Sequence, residues 1–581
     1  MTLPTWNLKD FYSSISSNKI QKDIIILEQR INIFSKKYKG KLNSLKKKKL
    51  LETLVEFEGI EELSQKIKSF AYLTYCTDQL SEKKKKFYQY IEESLSKIEK
   101  EIVFYGIELN KLNERNFSAF NDSKYKNWIK NHKKFKKYQR SEDVEKLLVE
   151  KSLTSSSAWI KFFDQSMARL RFKYKGKDLS ETEILNLFTS SNRSVRKNAA
   201  EVFGKTLKDN IFYFCFIMNT ISKDLDIEKN IRGFKYSESS RHLLNQIDKS
   251  DVDSLVKTAT SNFSEICHRY YKYKSTFFKG RKLNFWDRNA PYPKSKEFKI
   301  SWDEAKEIVL NSYYSFDKRF GDIVKLFFEK SWIDARISNG KTSGAFSHPT
   351  VPSCHPCILV NFQGRIRDVM TLAHELGHGV HQYLANKNGL LLADTPLTLA
   401  ETASVFGEML VFKSLLKNSK NKNEKIYLLR SKIEDMLNTV FRQIAFFKFE
   451  RDIHKKRIEG ELSEEEMCSI WMKIQKESLG DNVDLGGDYK YFWAYIPHFI
   501  HSPFYVYAYA FGDCLVNSLY SKYEDGEKSF NNKYFNLLQS GGSKHYQRHL
   551  KKFNLNPKDK DFWQLGMNLI KNFMDELEQL S

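Results

Sequence analysis

Over most of this chain apolar residues recur at intervals of three and four, the spacing that gathers them on one face of an α-helix. From Asn18 to about Arg115 the pattern is helical throughout, as in Ile24, Ile25, Leu27, Ile31, Ile33 and Phe34, and predicts a region of helix hairpins. The same spacing predicts helices over Ser141–Ser152, Glu181–Leu207 and Asp251–Phe278, the last opening after a cap candidate, Asp248-Lys249-Ser250-Asp251. Strand signals are few. The main exception lies between Ile333 and Phe362, where Gly340, Gly344, Pro349, Pro352 and Pro356 interrupt the chain and the β-rich run Ile358–Phe362 follows. Helices resume with Val369–Leu384 and Ala400–Leu416. The sequence carries no repeat of solenoid length and no Pro/Ser-rich linker, so any lobes are expected to be closely joined. The fold class expected is mainly α.

Composition changes this picture little. The 581 residues can bury a large core, and 41% hydrophobic with 29% charged residues is ordinary globular usage. A net charge of +24 would suit a nucleic-acid or anionic-membrane partner. The excess is mostly Lys, however, and accompanies abundant Asn, Ile and Phe with few Pro and Gly, which AT-rich codons produce without any ligand. The most basic run, Lys126–Arg140, places Trp128, Ile129, Phe135 and Tyr138 where one helix face would carry them, so a solvated face is preferred to a binding site. Seven scattered cysteines, mostly in apolar segments, fit a reducing compartment. The amino terminus lacks a signal-peptide pattern, and the longest apolar run, Ile211–Met218, is far short of the about 20 residues a membrane span needs. We therefore expect a cytoplasmic protein with no membrane and no nucleic-acid partner.

The sharpest chemical feature is His374-Glu375-Leu376-Gly377-His378, in a stretch whose apolar residues Val369, Leu372, Ala373, Leu376 and Val380 give it a buried side. Two histidines four apart on a helix lie one above the other, so both imidazoles can reach one ion at about 2.0–2.1 Å. A zinc hydrolase also needs a third protein ligand and an open position. The next predicted helix supplies Glu401, with Glu408 seven residues on and facing the same way. Carboxylates on an apolar stripe are costly unless paired or bound to metal. We expect His374, His378 and Glu401 to hold one Zn²⁺ per chain, Glu408 to orient a ligand or neighbouring group, and Glu375 to act as general base on the metal-activated water. The bland alternative is an amphipathic helix pair with its acids turned to solvent. Donors for a developing oxyanion are expected from the window holding His498, His501, Tyr505, Tyr507 and Tyr509, although the Tyr alternation equally suits a strand or a core aromatic cluster.

At these residues the chain resembles oligoendopeptidase F, in the thimet-oligopeptidase-like family of zinc metallopeptidases. The segments WIDARISNGKTSGAFS, CHPCILVNF, TLAHELGHGVHQY, PLTLAETASVFGEML, FERDIHKKRIEGELSEEE, IPHFIHSPFYVYAYAFGD and SGGSKHY resemble family segments in the same order. The likeness is strong from about Asp287 to the end and weak at TWNLKDFY near the start. It implies two helical lobes flanking a deep substrate channel, with a small β-sheet near the zinc-binding helix, and cleavage of short unfolded peptides. It divides the chain into an N-terminal helical region (1–115), a helical segment continuing that lobe (116–200) and a zinc metallopeptidase domain (201–581). The family's metal ligands map onto His374, His378 and Glu401, its base onto Glu375, and its transition-state donors onto His498 and one or two of Tyr505, Tyr507 and Tyr509. Gly344, Ala345 and the strand from Ile358 resemble the segment that grips substrate backbone by strand addition, with His355 beside it. Cys354-His355-Pro356-Cys357 stands where Thr-His-Pro-Tyr is expected; with no second pair at finger-like spacing, an incidental substitution is preferred to a redox pair.

Three functions remain to be separated: a zinc endopeptidase working as a monomer or weak homo-oligomer, a metallocarboxypeptidase or dipeptidyl carboxypeptidase of related fold, and a basic nucleic-acid-binding helical protein.

Overall fold

The computed structural model describes residues 3–278, 281–292 and 299–581. Helices carry nearly all the regular structure, and the described strands are only two or three residues long. The protein is mainly α, as the apolar spacing predicts. It divides into two compact units, each assembled from three stretches of chain: Met1–Lys137, Glu297–Ser419 and Lys522–Asn556 in the first, Tyr138–Lys296, Lys420–Ser521 and Pro557–Ser581 in the second.

In the first unit the predicted N-terminal helical stretch is several helices, Asn18–Tyr38, α1 (Lys47–Cys76), Glu82–Glu99 and two shorter pieces. Ile24, Leu27, Ile31 and Phe34 are buried, whereas Ile25 and Ile33 point to solvent, 52% and 64% exposed. A run of isoleucines hides the phase of a helix, and only packing decides which of them are core. Helix α2 (Trp302–Phe316) opens on a capping box in which Ser301 and Glu304 satisfy each other's backbone N–H groups.

Between the helices lies a small sheet of β1 (Ile333–Asp334), β2 (Phe346–His348) and β3 (Cys357–Leu359). β3 is central, parallel to β1 with Ile333 opposite Ile358, and antiparallel to β2 with Ser347 opposite Ile358. Its wholly buried residues explain the continuous apolar run there, since a strand covered on both faces has no polar side. α3 (Ile366–Ala385) follows. Its Asp368 carboxylate accepts the backbone N–H groups of Gln363 and Arg365, at 2.8 and 2.9 Å, and so closes the helix start. α4 (Leu397–Lys417) comes next.

The second unit is built on long helices, among them Ile211–Arg232, Lys249–Ser261, α5 (Arg442–Arg457) and the opening turns of α6 (Tyr507–Glu524). The predicted Asp251–Phe278 helix is interrupted by a π-helical turn at Phe263–His268. In the first unit the basic run is helical over Lys126–Lys136 with Ile129 buried, and its lysines have local partners: Lys133 pairs with Glu114 at 2.5 Å and Lys136 donates to the Leu112 carbonyl. No helix among the described residues is long and apolar enough to cross a membrane.

Candidate metal centre

One turn of α3 separates His374 from His378, and their rings meet edge to face with centroids 5.0 Å apart. α4 brings Glu401 to both: its Oε2 lies 3.4 Å from His374 Nε2 and 3.6 Å from His378 Nε2. All three ligand atoms fall within 4.8 Å of one another. A tetrahedral zinc site with bonds of about 2.0–2.1 Å separates its ligand atoms by about 3.3 Å. Two imidazoles and a carboxylate gathered at this spacing are a donor set that suits such an ion.

The approach of the two helices rests on small residues. Gly377 faces the backbone of Ala403 and Ser404, and Gly407 faces Tyr313 and the Ala373 carbonyl, with no room at either place for a side chain. Tyr313 donates to that same carbonyl at 3.0 Å. Around these three residues, Glu408 Oε2 accepts from His374 Nδ1 at 3.3 Å, which turns Nε2 toward Glu401; in the neutral ring this tautomer leaves the lone pair on Nε2. Ser404 donates to Glu401 Oε2 at 2.7 Å.

The electrostatics are those of a cation site. Burial pulls the His374 ring down, but the hydrogen bond to Glu408 and the charges of Glu401, Glu408 and Glu375 outweigh it and raise the ring to about 9. Burial lowers His378 to about 4, and it raises Glu401, whose carboxyl the two imidazoles nevertheless hold below the usual range. The Glu401 carboxylate thus lies on the side where both Nε2 atoms point, and Glu408 lies behind His374. Glu375 is 7% exposed, and burial pushes it up to about 7 although His374 pulls the other way. The Ser347 backbone N–H of β2 also works against that rise. Gln382, two turns further along α3, is tied to the same residue: Ser347 Oγ donates to Gln382 Oε1 at 2.8 Å and Gln382 Nε2 to the Ser347 carbonyl at 3.2 Å.

Gly344 and Ala345 precede β2, Gly344 exposed and in the left-handed region with φ 80°. His355 is buried, stacked on Trp332 at 4.3 Å with Phe11 at its edge, so it braces the sheet from within. Cys354 is half-buried and Cys357 buried, both thiols are free, and burial raises both above the ordinary thiol range.

The remaining sequence-derived candidates belong to the second unit. His498 and Tyr509 are joined at 3.2 Å, Tyr505 lies with its ring 5.3 Å from Tyr509, and all three are half-buried. With His501 they line a cleft of about 230 Å³. Tyr507 is separated from them. It is fully buried, and its hydroxyl is occupied by His242 Nδ1 at 3.0 Å and by Asn245, which donates at 2.9 Å. The alternation of tyrosines is therefore neither strand nor single cluster: a turn carries Tyr505, and the first helical turn of α6 sends Tyr507 inward and Tyr509 outward.

Several contributors escaped the sequence reading. Ser404, one turn from Glu401, had a helical-spacing signal. Others had none, because their partners are far along the chain. Phe504 adopts a left-handed φ of 60°, and its N–H donates to the buried Glu450 Oε1 at 2.7 Å. Arg241 donates to the Pro503 carbonyl at 3.3 Å and covers the Tyr505 ring at 5.6 Å. Together they shape the turn that carries Tyr505.

Comparison with known proteins places this geometry in context. The profile described as Peptidase family M3 matches residues 186–569, and that described as Oligopeptidase F matches residues 108–172. Oligopeptidase PepF of Bacillus subtilis (strain 168) is 27% identical over 592 residues, covering 99% of this chain and 87% of that protein. An oligoendopeptidase F homolog of Borreliella burgdorferi is 28% identical over 550 residues, 93% of this chain and 92% of its own. Among solved structures, oligoendopeptidase-F from Enterococcus faecium shares the fold with a TM-score of 0.72 at 20% identity, covering 97% of this chain and 98% of that one.

Proposed function

The chain belongs to peptidase family M3 and is a metalloendopeptidase that acts on oligopeptides, and we propose that it does so with one zinc ion held by His374, His378 and Glu401. The observation that carries this reading is the approach of one Glu401 oxygen to both ring nitrogens, at 3.4 and 3.6 Å. Bound there, zinc supplies Lewis acidity, polarising a peptide carbonyl and acidifying water.

The chain's own residues do the rest. Glu375, buried and adjoining His374, takes a proton from the attacking water and returns it to the leaving amine. Glu408 fixes the His374 tautomer, and Ser404 holds the Glu401 carboxylate. His498 with Tyr505 or Tyr509 serves as oxyanion donor, a role supported by the family resemblance and by their grouping around one cleft. Gly344 and Ala345 grip substrate backbone beside β2. Short unfolded peptides as substrates, a monomer or weak homo-oligomer and a cytoplasmic location complete the proposal.

The test is a peptide blocked at both ends, incubated with the protein as purified, after chelation and after zinc is restored. Internal cleavage lost on chelation and recovered with zinc is expected. Cleavage confined to unblocked carboxyl termini would favour a carboxypeptidase, and activity indifferent to chelation would remove the metal.

A further inference from the structure

The segment between β1 and β2 contains a lysine whose surroundings are unusual for an exposed loop. The Lys341 side chain is 2% exposed. Its three N–H bonds meet three acceptors at short range: Asp334 Oδ1 at 2.6 Å, the Arg336 carbonyl at 2.7 Å and the Val360 carbonyl at 2.8 Å, with the Asp334 carbonyl a longer contact at 3.2 Å. Burying an ammonium is costly unless every donor is matched, and here each is. The acceptors come from β1, from the residue just past β3, and from the chain leaving β1. The lysine therefore ties the loop to the parallel strand pair.

A second tie acts further along. Asn361 donates from one side-chain amide to two loop carbonyls, Thr342 at 3.0 Å and Gly344 at 2.9 Å. The loop's other side is held by the end of α1 and the residues after it: Thr342 N–H donates to the Cys76 carbonyl at 2.9 Å and Gln79 N–H to the Gly340 carbonyl at 2.6 Å. The result is a short segment fixed on both sides that delivers Gly344 and Ala345 to the edge of β2. At Ser347 the carbonyl on that edge is already taken up by Gln382. By the two-residue period of a strand, Ala345 is the next position facing the same way.

We propose that Lys341 and Asn361 are positioning residues for substrate binding: they hold residues 342–345 in the shape that pairs with a peptide backbone, without touching the reacting atoms. This rests on the peptidase reading above. Backbone pairing is made alike in the ground state and the transition state, so loosening the loop raises KM and leaves kcat in place.

Lys341→Ala and Asn361→Ala are compared with the unsubstituted enzyme on a peptide blocked at both ends. KM should rise about tenfold in each, the effect of one or two backbone hydrogen bonds no longer held in register, with kcat changed less than about twofold and zinc stoichiometry intact. In Lys341→Ala the vacated cage is ammonium-sized, so added ethylammonium should lower KM again; it should do nothing for Asn361→Ala. If Lys341→Ala does not fold, Asn361→Ala, which leaves every buried charge paired, carries the same reading. Folded variants with unchanged KM, a loss confined to kcat, or a Lys341→Ala enzyme indifferent to ethylammonium would overturn the inference. An unsubstituted enzyme that cleaves no peptide would instead refute the peptidase reading.

Discussion

Gly377 on α3 lies against the backbone of Ala403 on α4 so closely that a methyl group at Gly377 would overlap the Ala403 carbonyl. This contact sits one residue before His378 and two after Glu401, so it sets how near the carboxylate comes to the imidazoles. Gly377→Ala should push the helices apart, costing about 1–3 kcal/mol as overpacking does, and should weaken metal binding more than it disturbs the fold. Competition against a chromophoric chelator, with circular dichroism as control, measures both. Wild-type zinc affinity in a folded Gly377→Ala protein would show that the ligand spacing is set elsewhere.

In the proposed site Glu375 adjoins His374 in sequence and takes the role of base, not of metal ligand. Glu375→Gln should keep one zinc per chain and lose about 10²–10⁴-fold in turnover, the usual contribution of a general base. His378→Ala and Glu401→Ala should lose the metal. Elemental analysis beside single-turnover rates separates the two classes, and an active Glu375→Gln enzyme would need another base.

In the proposed site Glu408 acts through His374, whose Nδ1 it meets at 3.3 Å. Glu408→Ala should reduce zinc affinity about 10–100-fold, whereas Glu408→Gln, whose carbonyl can still accept from Nδ1, should lose less. Equal losses in the two would mean that the negative charge, and not the hydrogen bond, is what matters.

The three tyrosines should part company. Tyr507→Phe leaves His242 and Asn245 without their buried partner and should cost about 1–2 kcal/mol of stability with kcat nearly unchanged. Tyr505→Phe or Tyr509→Phe should instead lower kcat, by up to about 10²–10³-fold for an oxyanion donor, with little effect on melting. Thermal unfolding and steady-state kinetics on the three variants decide this, and a kcat collapse in Tyr507→Phe would reverse the assignment.

Glu450 should make stability depend on pH. Burial pushes its carboxyl up to about 8, with only the Phe504 N–H and nearby Arg241 opposing. The folded protein then holds a proton that the unfolded chain releases above its ordinary pKa of about 4.3. The stability associated with that proton is complete at acid pH and is lost as pH rises from the unfolded value through the folded one. Glu450→Gln should therefore melt at a more nearly constant temperature between pH 5 and 8 than the parent protein does. A parallel decline in both would place the titration on other groups.

How much could be read before folding depends on distance along the chain. The four-residue interval between His374 and His378 is enough to stack two imidazoles, because 3.6 residues complete a helical turn, and Glu401 with Glu408 follows from the same rule on the next helix. The segments of α3 and α4 and the buried run at β3 were likewise visible as local periodicity. The isoleucines near the start illustrate the limit, since a run apolar at every position does not say which members face inward.

Local sequence was thus sufficient for the mainly helical character, for the helices that carry His374, His378 and Glu401, and for the types of side chain gathered at the candidate metal centre, all of which follow from neighbours within one or two turns. Tertiary packing alone decided that Glu401 comes within 3.4 and 3.6 Å of both rings, that Tyr507 turns toward His242, and that Lys341 and Glu450 are enclosed. Tyr507 and His242 stand 265 positions apart. No periodicity spans such a gap, and their meeting is settled by which buried surfaces and hydrogen bonds the whole chain can satisfy at once.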